Sequence, residues 1–87
     1  MRNIKETVAG FLSLPKEIAL DLPLLTATGR NEVAIENYKN LIEFSEEKIR
    51  LQTSEGIVTV EGERLKLSQI TTENVLVCGA IVSITYT

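Results

Sequence analysis

The 87-residue sequence predicts a mainly β protein in which about eight short strands form hairpin-like repeats, preceded by an N-terminal amphipathic helix. Apolar and polar residues alternate with a period of two from residue 24 onward, and that stretch is rich in β-branched side chains. Glycine or another turn-forming residue interrupts the alternating runs at nearly regular intervals. Together these observations predict short strands joined by tight turns.

The N-terminal helix is predicted over residues 3–14. Its apolar residues fall at positions i, i+4, i+7 and i+8, which places them on one stripe of a helix: Ile4, Val8, Phe11 and Leu12. Pro15 ends this helix, because the residue before a proline avoids the helical region, and a second short helical turn is expected from Pro15 to Leu20. We therefore divide the single compact domain into a helical segment, residues 1–23, and an all-β domain, residues 24–87.

The clearest strand pattern lies between Gly56 and Ile70, where alternating arms flank Glu61-Gly62-Glu63 and predict a hairpin. The same pattern recurs along the chain. Its first arms begin at Leu25, Leu41, Val58 and Val75, and a turn-forming residue follows four positions later at Gly29, Ser45, Gly62 and Gly79. In the second arms, apolar residues stand 16, 16 and 17 positions apart at Val33, Ile49, Leu65 and Val82.

Four hairpin-like units fit two architectures. If neighbouring strands pair in sequence order, the units form a small sandwich or roll with the helix over an open face. If the units stack on one another, they form a short β-solenoid, for which about 16 to 18 residues is a natural coil length. Both architectures place the same residues inside.

Composition bounds the chemistry. The chain has no histidine and one cysteine, so it lacks the ligands of a tetrahedral zinc site and the base of a histidine triad. It has no glycine-rich phosphate loop, and we expect no cofactor and no enzymatic activity. A net charge of −3 disfavours nucleic acid as a partner. Cys78 is expected to be a small buried apolar residue.

Localisation is predicted from what the sequence lacks. No apolar run approaches the length of a transmembrane helix. The N-terminal residues read as an amphipathic segment rather than a secretory signal. We therefore expect a cytoplasmic protein without a transmembrane segment.

Contact residues are predicted on two surfaces. Four basic residues at outward-facing strand positions would form one patch if their units are adjacent: Lys48, Arg50, Arg64 and Lys66. A solvated face balanced by neighbouring glutamates is the alternative. Phe11 and Leu12 could cover the core of the same chain, a second subunit or a membrane interface. Exposed edge strands offer a further route to pairing with another copy or another protein.

An ordered series of residues carries a family resemblance. It consists of Leu14-Pro15, Asp21-Leu22-Pro23, Thr26, Gly29, Ile35-Glu36-Asn37-Tyr38, Phe44, Gly56, Val60-Glu61-Gly62, Leu65, Ile70, Gly79 and Ile84-Thr85-Tyr86. The series resembles the YabP/YqfC family of small sporulation proteins, and within it the YqfC branch. One departure is Asn40, which follows Lys39 where the family usually has glycine; asparagine also tolerates a left-handed turn.

The resemblance implies a role in endospore formation, in the mother-cell compartment, without an established enzymatic activity. We therefore expect a non-enzymatic structural or adaptor protein that contacts itself or another sporulation protein, with a membrane-associated partner as one option. The alternative is a regulatory module that binds a small ligand or cation near Glu46-Glu47 or Glu36-Asn37.

Overall fold

Six β-strands make up the part of the chain that the computed structural model describes, residues 21–87. Their bounds are Leu24–Thr28 (β1), Glu32–Glu36 (β2), Tyr38–Phe44 (β3), Lys48–Thr53 (β4), Gly56–Ile70 (β5) and Asn74–Tyr86 (β6). The mainly β class predicted from the sequence is confirmed. The predicted helix over residues 3–14, with Phe11 and Leu12, and the helical turn from Pro15 lie outside the described residues.

The strands form one antiparallel sheet in the order β1-β2-β6-β5-β4-β3. Two groups of strand segments divide it. Half-sheet A consists of β1, β2, residues 74–78 of β6 and residues 66–70 of β5. Half-sheet B consists of β3, β4, residues 56–61 of β5 and residues 83–86 of β6. The two long strands β5 and β6 run through both, which is not the stacking of successive coils that a β-solenoid requires.

The sheet folds over so that its two ends meet. β2 lies second from one end of the strand order and β3 lies at the other end, yet Asn37 alone connects Glu36 to Tyr38. Two virtual Cα bonds span at most about 7.6 Å. In addition, the Tyr38 hydroxyl of half-sheet B donates a hydrogen bond of 2.6 Å to the carbonyl oxygen of Thr71 in the β5–β6 turn. The six strands therefore form one antiparallel sheet that curves enough for Asn37 to join β2 and β3 directly.

A single hydrophobic core lies between the half-sheets. Its buried members are Val33, Ile35, Tyr38, Ile49, Leu51, Val58, Val60, Leu65, Val75 and Val77. Each fully buried aliphatic side chain contributes about 1.5–3 kcal/mol relative to an exposed one. Alternation along β2 and β4 places the predicted inward residues Val33, Ile35, Ile49 and Leu51 in this core with no exposed surface. Val82 breaks the predicted row, because 74% of it is exposed.

The prediction of eight strands is wrong, because two predicted turns are bends inside continuous strands. Gly62 lies within β5 and Gly79 within β6. A Cβ atom at Gly62 would overlap the carbonyl oxygen of Ala80, and one at Gly79 would stand 2.7 Å from the carbonyl oxygen of Arg64. At this crossing the two backbones approach so closely that only glycine fits. The glycines therefore bend the long strands instead of ending them.

The bends are anchored by the hairpin turns. The Gly79 amide donates to the Asn31 carbonyl oxygen at 3.0 Å in half-sheet A, and the Gly62 amide donates to the Glu47 carbonyl oxygen at 3.1 Å in half-sheet B. The register also shifts beside both glycines. Arg64, with a positive φ of 53°, is an extra residue of β5 at this point, as expected for a β-bulge.

Candidate interaction surface

Within residues 21–87, four strand segments have a hydrogen-bonded neighbour on one side only. They are β1, β3, the end of β5 from residue 66, and the end of β6 from residue 82, which we name the β6 edge. Folded proteins usually protect such edges with charged residues or proline, because unpaired backbone groups recruit further strands. The four segments differ in this protection.

The β6 edge, residues 82–86, has no charged residue and no proline. Its large exposed side chains are Val82, of which 74% is accessible, and Tyr86, of which 52% is accessible. Val82 is exposed because Ile81 and Ser83 pair with consecutive residues Gly62 and Glu61, so that Val82 is left out of the ladder as a bulge. Charged residues lie along β3 and the end of β5, whereas β1, which is also uncharged, directly follows Pro23.

β3 exposes apolar side chains on the core-facing side of the sheet. Leu41 pairs with the buried Leu51, and Phe44 pairs with the buried Ile49. Directly opposed residues share a face of the sheet, so both side chains point the same way as the core. Nevertheless, 38% of Leu41 and 50% of Phe44 are exposed. We name these two residues the β3 apolar strip.

Two of the predicted basic contact residues lie on β4 and face acidic neighbours. Lys48 Nζ stands 3.9 Å from Glu61 Oε2, and Arg50 Nη1 stands 3.5 Å from Glu43 Oε1. Glu61 and Glu43 belong to the strands on either side of β4. These two cations therefore form a mixed-charge face on half-sheet B, as in the alternative that the sequence left open.

The other two predicted basic residues lie beyond the bend of β5. Arg64 and Lys66 line a shallow groove together with Glu32 and Cys78, and neither cation takes part in an ion pair within residues 21–87. In the register, Cys78 lies between Glu32 of β2 and Lys66 of β5. The structure therefore places two of the four basic residues on half-sheet B and the other two at and beyond the bend of β5, and their role in contacts stays a prediction. Cys78 is partly exposed, so the prediction of a buried residue is wrong.

The turns considered for a ligand or cation are held by backbone contacts. The carbonyl oxygens of Glu46 and Glu47 accept hydrogen bonds from the amides of Leu65 and Gly62 at 2.8 and 3.1 Å. Across residues 21–87, three or more His, Cys, Asp or Glu side chains nowhere come together as a group that could hold a metal ion. Ligand binding at these turns stays a prediction.

Residues 21 and 22 are fixed beside the start of β3. The carbonyl oxygen of Asp21 accepts a hydrogen bond of 2.6 Å from the Ser54 hydroxyl, and its carboxylate pairs with Lys39. The Asn37 side-chain amide donates to the carbonyl oxygen of Leu22 at 2.8 Å. The chain therefore enters the described fold at the Tyr38 end of β3.

Sequence reasoning missed the exposed residues Leu41, Phe44 and Val82 as a candidate surface, because each stands at a position of the alternation that predicts burial. Charge offered one usable signal, since the stretch from residue 74 to residue 87 contains no charged residue at all. An uncharged strand is compatible with a buried centre or an unprotected edge, and only the pairing distinguishes them.

Comparisons with known proteins agree with the resemblance seen in the sequence. A sequence model described as the YabP family matches residues 23–87. The chain is also 33% identical over 84 residues to a Bacillus subtilis protein described as the uncharacterized protein YqfC, covering 97% of this chain and 90% of that protein. Within residues 21–87 no helix is long and apolar enough to cross a membrane.

Proposed function

Since the chain belongs to the YabP family, we propose that it is a non-enzymatic structural or adaptor protein of endospore formation that acts through protein-protein contacts. Its similarity to YqfC adds no chemistry, because that protein is described only as uncharacterized. The resemblance to sporulation proteins supports the process and the mother-cell cytoplasm as the location. The exposed strand edges support contact with other protein chains as the mode of action.

The observation that carries this proposal is the β6 edge. Its outer backbone groups pair with no strand among the described residues, so they can extend the sheet into a second chain, and main-chain hydrogen bonds supply affinity in such strand addition. Neither charge nor proline opposes that pairing along residues 82–86. The exposed side chains of Val82 and Tyr86 would lose apolar surface to water on contact.

The occupant that fits this edge is a second copy of the chain. Two identical strands related by a two-fold axis pair in antiparallel register, so each residue of the edge meets its counterpart or a near neighbour. An uncharged, apolar strand is compatible with itself in this arrangement, whereas a charged one would place like charges opposite each other. Edge-to-edge pairing would join half-sheet B of one copy to half-sheet B of the other.

Light scattering over a concentration series tests the proposal. Wild-type protein should show a concentration-dependent rise in mass toward twice that of the monomer. Val82→Lys should shift that rise to at least about tenfold higher concentration, the effect of about 1.4 kcal/mol of lost pairing. The substituted side chain is largely exposed, so folding should be retained.

Thr28→Lys is the matched control, because it adds the same charge to the exposed residue at the end of the β1 edge. It should leave the association unchanged. A wild-type protein that stays monomeric throughout, or equal effects of the two substitutions, would contradict pairing through the β6 edge. In the monomeric case, the search for a contact should turn to a different protein as partner.

A further inference from the structure

The β3 apolar strip requires a cover that the described residues do not supply. We propose that residues 1–20 of the same chain pack on it, with Phe11 and Leu12 contacting Leu41 and Phe44. This contact is independent of the β6 edge, which lies at the opposite side of half-sheet B. It assigns the two predicted helical contact residues to a partner surface within the chain.

The β3 apolar strip continues the core. Leu41 and Phe44 stand in register beside Leu51 and Ile49, which are fully buried. In half-sheet A the equivalent of Leu41 is Leu25, which pairs with Ile35 and packs against the core. A core-facing apolar row that is covered in one half-sheet thus ends uncovered in the other.

The position at which residues 1–20 are attached to the described fold is fixed by contacts of residues 21 and 22. Asp21 and Leu22 are held by Lys39, Ser54 and Asn37. Residue 21, to which residues 1–20 are attached, therefore lies beside the first residues of β3, the strand that carries the strip. A segment attached at this point has a high effective concentration at the strip, because its contact is intramolecular.

The segment is long enough for Phe11 and Leu12 to reach the β3 apolar strip. Five residues separate Lys39 from Phe44, which corresponds to about 17 Å along a strand. Ten residues separate Phe11 from Asp21, and they span about 15 Å as a helix or up to about 35 Å when extended. Phe11 and Leu12 can therefore reach both members of the strip without any change at the point of entry.

The spacing of apolar residues within residues 1–20 also supports the contact. Its apolar residues Ile4, Val8, Phe11 and Leu12 fall on a single helical stripe. A stripe of this kind requires an apolar surface of comparable width. The β3 strip supplies one beside the point at which the segment joins the fold.

Paramagnetic relaxation in the full-length protein tests the proposal. A nitroxide is attached at Ser13→Cys in a Cys78→Ser background, and the backbone amide signals of ¹⁵N-labelled protein are compared before and after reduction of the label. The amides of residues 41–44 should lose intensity. Those of residues 83–86, on the far edge of the same half-sheet, should keep theirs.

Two substitutions with nearly equal starting exposure provide the matched pair. Phe44→Lys should abolish the broadening at residues 41–44, whereas Tyr86→Lys should leave it intact; the two wild-type side chains are 50% and 52% exposed. Phe11→Lys should abolish it as well. Retention of the broadening in the Phe44→Lys variant would overturn the proposed contact.

A mixed sample identifies the source of the segment. Unlabelled protein carrying the nitroxide is added to ¹⁵N-labelled protein without it, at a concentration where scattering gives the monomer mass. In the mixed sample we expect no broadening at residues 41–44, because the nitroxide should affect only the molecule to which it is attached. Broadening in the mixed sample would overturn the intramolecular contact and assign the strip to a second copy, and no broadening at residues 41–44 in either sample would overturn it altogether.

Discussion

Half-sheets A and B follow one plan, and they differ in how far that plan covers the core. Each consists of a hairpin, the first half of one long strand and the second half of the other, and in each a hairpin turn holds the glycine of a bend. In half-sheet A the outer strand β1 contributes Leu25 to the core. In half-sheet B the outer strand β3 leaves Leu41 and Phe44 exposed.

This difference teaches that the repeat specifies the frame and that departures from it specify the contacts. Equivalent buried pairs lie within each half-sheet, Val33 with Val77 in half-sheet A and Ile49 with Val60 in half-sheet B, and all four residues belong to the shared core. The exposed apolar residues lie mainly in half-sheet B, at β3 and at the β6 edge. The half-sheet with more exposed apolar surface is the one to which our two proposed contacts belong.

The largest test of the common plan concerns the two bends. Gly62→Ala and Gly79→Ala should each lower the free energy of unfolding by about 3 kcal/mol or more, because the new Cβ atom meets backbone that cannot yield easily. Gly79 also has a φ of 138°, which adds strain for any other residue. Urea unfolding curves measure both effects.

Gly29→Ala is the control for these substitutions. Gly29 also has a positive φ, of 57°, but a Cβ atom there meets nothing within 4 Å. Its cost should be limited to about 1 kcal/mol, the conformational preference alone. If Gly62→Ala were as mild as Gly29→Ala, close approach of the strands at the bend would be the wrong explanation.

An intermediate effect on the free energy of unfolding is expected at one of two turns that are each closed by a threonine hydroxyl. The Thr53 hydroxyl donates to the Gly56 carbonyl oxygen at 2.8 Å and accepts from the Glu55 amide at 3.0 Å, and only 3% of this residue is exposed. Thr53→Val should therefore lower the free energy of unfolding by about 1–2 kcal/mol, because it removes two hydrogen bonds that a buried side chain makes with partly buried backbone groups.

The Thr71 hydroxyl makes the corresponding contacts with the Glu73 and Asn74 backbone, but the turn that it closes is exposed. Water can replace the lost bonds there, so Thr71→Val should change the free energy of unfolding by less than about 0.5 kcal/mol. Thermal melts of the two variants compare them directly. Equal losses would show that burial does not set the difference.

The smallest effect is expected on the mixed-charge face. Arg50→Met removes the pair with Glu43, and both side chains are partly exposed, at 34% and 45%. Exposed ion pairs typically contribute about 0–1 kcal/mol, so the unfolding midpoint should fall only slightly, and the difference should shrink in high salt. Lys66→Met, which removes a cation without an ion pair among residues 21–87, serves as the control and should show no such salt dependence.

The sequence predicts the fold class and the inward-facing residues well because both depend on local alternation. Val33, Ile35, Ile49 and Leu51 lie in the core as the period-two pattern requires. The spacing of 16 from Val33 to Ile49 relates the second strands of the two hairpins, β2 and β4. The next spacing of 16 leads from β4 to β5, and the spacing of 17 leads from β5 to β6. The repeat was real, but it consists of two pairs of unlike elements.

The sequence did not predict correctly which glycines lie in turns. Gly29 sits in a hairpin turn, whereas Gly62 and Gly79 permit two strands to cross closely, and no local pattern distinguishes these uses. The exposed residues of the candidate surface were not predicted for a related reason. Exposure of Phe44 depends on what lies opposite β3, and exposure of Val82 depends on a bulge, so both are set by partners distant in the sequence.

The connection through Asn37 also bears on how quickly the chain finds its structure. Its one-residue joint links two hairpins that each pair residues close in sequence, whereas β2 pairs with β6 across 38 to 46 positions, from Glu36 with Asn74 to Glu32 with Cys78. Proteins dominated by local contacts fold faster than those that must close long loops. We therefore expect the β1–β2 and β3–β4 hairpins to form early in refolding, and the distant pairing of β2 with β6 to be the slow step.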